Sequence, residues 1–163
     1  AACLYDPWRK IIGMNHFLVA MPRKNPDLPF YLSNAGRYGI NAMELLINRM
    51  MKLGANRYDL RAKIFGGASI IYGNEKEDSK FNVGQNNCQF IKDFLANESI
   101  PVDAEDLGGS SGRVVHFSNG DFAVYVRKIG VGRNSSIARR DHDCWELAIR
   151  EQEQSMPHEE LWF

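Results

Sequence analysis

Ile40, Met43, Ile47 and Met50 recur at helical spacing, and Gly54 stands where a helix C-terminal cap belongs. A helix with one apolar stripe must bury it against another layer, and this requirement constrains the fold more than any other feature. A second amphipathic stretch over residues 85–97 turns Phe90, Ile91, Phe94 and Leu95 to one side. Short strand-like runs surround the two helices. They are residues 1–5 ahead of an Asp6-Pro7 turn, Ile11–Met21, Leu60–Phe65 and Ile100–Glu105. Val114–Phe117 and Phe122–Ile129 flank Ser118-Asn119-Gly120-Asp121, and Asn-Gly between alternating runs signals a hairpin. No regular βαβ rhythm connects these pieces. The expected fold is α+β, a layered sandwich of mixed β-sheet with flanking helices.

The chain has 163 residues, enough for one domain with a hydrophobic core. Residues 1–129 are expected to form that domain. Residues 130–163 are polar and charge-clustered, and read as a partly disordered extension with a short helix around Trp145, Ala148 and Ile149. The three prolines in Pro22–Pro29 predict a loop, and the polar stretch 73–81 a mobile one. Twenty basic residues balance twenty acidic ones, so no field of one sign recruits nucleic acid or an acidic membrane. No apolar run approaches the roughly 18 residues of a membrane span. Cys3, Cys88 and Cys144 are odd in number and widely spaced, which argues against a disulfide framework or a structural zinc site and for a reducing cytoplasm. The chain opens at Ala1 in what reads as the middle of a strand, so a longer polypeptide is expected upstream.

Several residues could carry chemistry. Gly66-Gly67-Ala68-Ser69 follows a strand but lacks the spacing and lysine of a nucleotide loop, so it reads as a tight turn with close backbone approach. Glu105-Asp106 is a carboxylate pair whose members point to opposite faces of a strand, which suits solvated or capping roles better than a shared substrate. Asp141-His142-Asp143-Cys144 contains metal-ligand types without the spacing that gathers them on one face. His16 lies within the apolar run Ile11–Met21, where a half-buried imidazole is either hydrogen-bonded or used. Cys3 upstream invites a Cys-His pairing, although spacing does not establish that the two face each other.

Beyond these features, the chain resembles the CheD family of chemoreceptor glutamine deamidases over about residues 1–129. The resemblance is carried by Cys3-Leu4-Tyr5-Asp6-Pro7, Gly13-Met14-Asn15-His16, Arg37-Tyr38 and Ala42-Met43-Glu44-Leu45-Leu46. It continues through Leu53-Gly54-Ala55, Ala62-Lys63-Ile64-Phe65-Gly66-Gly67-Ala68, Asn82-Val83-Gly84 and Asn87, then Glu105-Asp106-Leu107-Gly108-Gly109 and Val126-Arg127-Lys128.

The resemblance implies a cysteine hydrolase that converts glutamine side chains of methyl-accepting chemotaxis receptors to glutamate, without metal or organic cofactor. It implies that Cys3 matches the second cysteine of the family's N-terminal signature. The nucleophilic cysteine is then expected four positions before Cys3, upstream of Ala1, with a supporting threonine further upstream. His16 matches the family's catalytic histidine. The chain as given is accordingly expected to be inert as a deamidase. A CheC-type phosphatase is a further implied partner, and a non-catalytic adaptor binding receptors or that phosphatase is the alternative reading. A small-molecule amidase using Cys3 would require abandoning the register that Asp6-Pro7 and His16 fix together.

Overall fold

The computed structural model describes residues 1–18, 34–68 and 83–129. The N-terminal run forms β1 (Ala2–Asp6), buried at every position as its small and apolar residues require. A turn over residues 7–10, with Lys10 in the left-handed region, reverses the chain into β2 (Ile11–Asn15). β2 is antiparallel to β1, with Ala2 opposite Asn15 and Cys3 opposite Met14. The expected strand over Ile11–Met21 is thus shorter than its apolar composition suggests. Residues 16–18 lie beyond the ladder, and residues 19–21 fall outside the described residues.

Helix α1 (Asn34–Lys52) carries Met43, Ile47 and Met50 on its buried stripe, with Ile40 partly buried beside them. It ends at Gly54, whose φ of 107° closes the C-terminus as the sequence predicts. A 3-10 turn (Arg57–Asp59) leads into β3 (Arg61–Gly66), antiparallel to β1 on the side away from β2. Helix α2 (Val83–Asn97) buries Phe90, Ile91, Phe94 and Leu95, the four side chains its periodicity selects.

β4 (Val102–Leu107) runs parallel to β3 and completes a mixed sheet of order β2-β1-β3-β4. Its start is later than the expected Ile100. That residue is buried in the core instead, and Pro101 supplies only its carbonyl, to the N–H of Ala62. β5 (Arg113–Phe117) and β6 (Val124–Lys128) form the predicted antiparallel hairpin. Phe122, expected inside a strand, lies in the turn with a φ of 56°, and its ring stacks on Tyr5 at 4.9 Å.

These contacts define three layers. Alternation sends Ala2, Leu4, Ala62 and Ile64 to one face of the sheet, where they meet both helices in a single core. Tyr5 and Lys63 project from the other face beneath the hairpin. Tyr5 also makes an edge contact with Phe117 at 6.4 Å, and Lys63 Nζ donates to the carbonyl of Phe122 at 2.6 Å. Arg57 ties the helical layer together, donating to Glu44 at 2.7 Å and Glu98 at 2.5 Å. Among the described residues no helix is long and apolar enough to cross a membrane. The loop Pro22–Pro29, the stretch 73–81 and the extension 130–163 lie outside the described residues.

Candidate functional site

The strand directions bring the chemistry-bearing residues to one end of the sheet. The start of β1 and the ends of β2, β3 and β4 all lie there, because β1 is antiparallel to β2 and β3 while β3 and β4 are parallel. Ala1 extends the β1–β3 ladder by one pair, exchanging hydrogen bonds with Phe65 at 2.7 and 3.0 Å.

Both helices start at this end. Asn15 on β2 reaches Ala42 of α1, while Gly54 beyond that helix lies 3.9 Å from Ile11 at the other end when given a Cβ. Gly84 in the first turn of α2 abuts Gly67, so closely that a Cβ there would stand 2.5 Å from the Gly67 carbonyl oxygen. Among the described residues, the first turns of both helices, each carrying about half a positive charge, hold no carboxylate of their own. Such a field favours a thiolate or an oxyanion.

His16 is at this end, one residue past the last β1–β2 pair, and is exposed rather than half-buried inside a strand. Apolar Phe17, Leu18 and Val19 predict a longer strand. The ladder stops at Asn15 instead, and Phe17 turns into the core against Phe90. Asn15 and Phe17, on either side of His16, both reach toward the helices.

Cys3 lies opposite Met14 and one diagonal step from His16, yet it is fully buried. Burial pushes its thiol up to about 11, against the opposing pull of the Lys63 ammonium. A nucleophile must be a thiolate near neutral pH, and Cys3 is held in the protonated form.

The glycine turn after β3 behaves as a close-approach element. Gly66 and Gly67 have φ of 119° and 70°, and a Cβ on Gly67 would overlap Cys88 Sγ and stand 2.8 Å from the Gly84 carbonyl oxygen. Beside it, a groove of about 480 Å³ opens between α2 and the end of β4, lined by Gly67, Gln85, Cys88, Gln89, Lys92 and Leu107. Such crevices form at the carboxyl ends of parallel strands.

The two carboxylates of Glu105-Asp106 separate as expected. Glu105 meets Lys92 of α2 at 2.9 Å, and Asp106 takes both arms of Arg113 at 3.0 and 2.7 Å on the opposite side. Arg113 also donates to the carbonyls of Gly108 at 2.9 Å and Ser111 at 3.3 Å, so it staples the glycine-rich turn. That guanidinium holds the Asp106 carboxyl below its ordinary range. Nothing in the sequence marks Arg113 for this task, since its partners are mostly backbone carbonyls of a turn. The same holds for Asn15. Cys3 and Cys88 are free thiols, and among the described residues no cluster of His, Cys, Asp and Glu could hold a metal ion. Asp141, His142, Asp143 and Cys144 lie outside the described residues.

Comparison with known proteins agrees with this arrangement of motifs. The family model described as CheD chemotactic sensory transduction matches residues 21–128. A protein of Geobacter sulfurreducens named "probable chemoreceptor glutamine deamidase CheD 1" is 47% identical over 99% of this chain and 81% of its own length. A Shewanella oneidensis relative named "probable chemoreceptor glutamine deamidase CheD 2" is 46% identical over 77% of this chain and 62% of its own length. One of Thiobacillus denitrificans, named "probable chemoreceptor glutamine deamidase CheD", is 41% identical over 88% of this chain and 68% of its own. A family match over most of the chain, and relatives at this identity across nearly all of it, establish that the chain belongs to the CheD family.

Proposed function

We propose that this chain is the body of a protein-glutamine deamidase acting on chemotaxis receptors in the cytoplasm, with residues 1–129 as its catalytic domain. His16 is its general base and acid. The nucleophile is a cysteine four positions before Cys3, hence two before Ala1, with a supporting threonine further upstream. The observation that carries this reading is the β1–β2 register. Ala2 pairs with Asn15 as the last pair of the ladder, and a register continued by one step would set Ala1 opposite His16. A residue two positions earlier, on a continued strand, projects to the same side as His16 and is its diagonal neighbour, within reach of a long side chain.

The chemistry follows from that juxtaposition. His16 takes the thiol proton, and sulfur attacks the side-chain amide carbon of the receptor glutamine. The amide oxygen gains negative charge at the end of the sheet that both helix N-termini face, where backbone donors of this kind contribute about 3–4 kcal/mol each. Protonated His16 gives its proton to the departing nitrogen, and ammonia leaves. Water, deprotonated by His16, then opens the thioester to glutamate and restores the thiol. This sequence uses no metal or organic cofactor. The same surface is proposed to engage a CheC-type phosphatase.

The test uses the full-length protein with a receptor cytoplasmic domain and reads receptor glutamines by peptide mass spectrometry. Conversion of selected glutamines to glutamate supports the reading. Receptor binding without conversion would replace it with a non-catalytic adaptor.

A further inference from the structure

We propose that Asn15 and Phe17 are a positioning pair for His16; the proposal rests on the reading of His16 as general base. His16 stands one residue beyond the last pair of the β1–β2 ladder. A proton-transfer group must nevertheless be held to within about half an ångström of its productive geometry.

The two neighbours of His16 contribute to that restraint. Asn15 Nδ2 donates to the backbone carbonyl of Ala42, inside α1, at 2.8 Å. Phe17 is buried and meets Phe90 of α2 edge-on, with centroids 5.3 Å apart and planes at 74°. Phe90 in turn fills the space that a side chain on Gly39 would need, since a Cβ there would stand 2.7 Å from its ring. The anchors therefore reach both helices of the core, one through a hydrogen bond and one through an aromatic contact. Between them the backbone of His16 is held on both sides.

The chemistry of position 15 is specific. Only a donor suits a carbonyl acceptor, and the geometry needs a short side chain. Aspartate has the right size but offers oxygen to oxygen at neutral pH, and alanine leaves the end of β2 untied.

The test compares full-length native protein with Asn15→Ala, Asn15→Asp and Phe17→Leu. It reads kcat and KM on a receptor cytoplasmic domain, thermal melting, and the imidazole NMR resonances of His16. The expected result for both Asn15 variants is a kcat loss of about 10- to 100-fold, as misplacement by about an ångström produces, with KM nearly constant. The His16 resonances shift or broaden in step, while the melting transition stays cooperative. Should an Asn15 variant fail to fold, Phe17→Leu stays apolar while removing the ring contact with Phe90 and is expected to show the same loss of kcat and the same change at His16. Folded Asn15→Ala or Phe17→Leu protein with native kcat and native His16 resonances overturns the proposal. The NMR measurement stands without activity. If His16→Ala proves fully active, the general-base assignment fails, and the anchoring is still read from the resonances.

Discussion

The Asp6 carboxylate, fully buried at the end of β1, accepts the backbone N–H of Asn56 at 2.9 Å from fifty residues away. Its other oxygen accepts the N–H groups of Trp8 at 3.0 Å and Arg9 at 2.9 Å, closing the β1–β2 turn. One carboxylate thus joins the turn that aligns β2 with β1 to the segment that follows α1.

Replacing Asp6 by alanine removes the acceptor of three part-buried backbone hydrogen bonds. The expected cost is about 3 kcal/mol, measured as a lower urea midpoint with an unchanged m-value.

Asp6 also sets a pH dependence. Burial alone would raise its pKa, but the N–H donors of Asn56, Arg9 and Trp8 and the Arg9 guanidinium outweigh it and hold the carboxyl below its ordinary value. Asp103, bonded to Arg61, and Asp106, bonded to Arg113, are lowered as well. A group with a depressed folded-state pKa contributes stability above its unfolded value, about 3.9 for aspartate, and loses it as pH falls through the folded value. Stability should therefore be level with respect to these groups above about pH 5 and should fall in acid. Asp6→Asn should flatten the acid limb in equilibrium unfolding measured across pH.

Much of this architecture is legible in the sequence, and the reasons for the exceptions are physical. Met43, Ile47 and Met50 lie on the buried stripe of α1, and Phe90, Ile91, Phe94 and Leu95 on that of α2, because helical burial repeats at a period the chain displays. The Asn119-Gly120 hairpin is legible for a similar local reason. The end of β2 is not. Apolar Phe17 looks like continued strand, whereas its burial against Phe90 depends on where α2 packs. β4 begins late because Ile100 is drawn into the core, and its exposed Val102-Asp103-Ala104-Glu105 befits an edge strand paired on one side only. The sequence motif offers His16 as a candidate, while the Asn15 bond to Ala42 and the Arg113 staple use backbone carbonyls that no residue pattern reveals.

Cys3 gives a direct prediction. With the thiol buried and its pKa pushed up to about 11, it should resist alkylation in the folded protein at neutral pH. Cys3→Ala in the full-length protein should keep deamidase activity within about threefold, with any cost appearing in stability as a small cavity. A receptor deamidation assay beside mass-spectrometric mapping of alkylated cysteines checks both.

Gly67 tests the close approach of β3 and α2. Gly67→Ala adds a Cβ that overlaps Cys88 Sγ and meets the Gly84 carbonyl, at a φ of 70° that side chains rarely adopt. Overpacking of this kind costs about 1–3 kcal/mol. Adding Cys88→Ala should restore little, because the Gly84 contact is backbone and cannot rotate away. Thermal melts of the single and double variants decide this.

His16, one residue past the end of β2, is the residue proposed to move protons for glutamine deamidation. The most direct measurement compares initial rates of ammonia release, with receptor glutamate formation read in the same samples, for full-length native protein and His16→Ala. A loss of about 10²–10⁴-fold with receptor binding retained is expected. A folded His16→Ala protein that deamidates the receptor within about threefold of the native rate, well inside the loss expected for an absent general base, would contradict it.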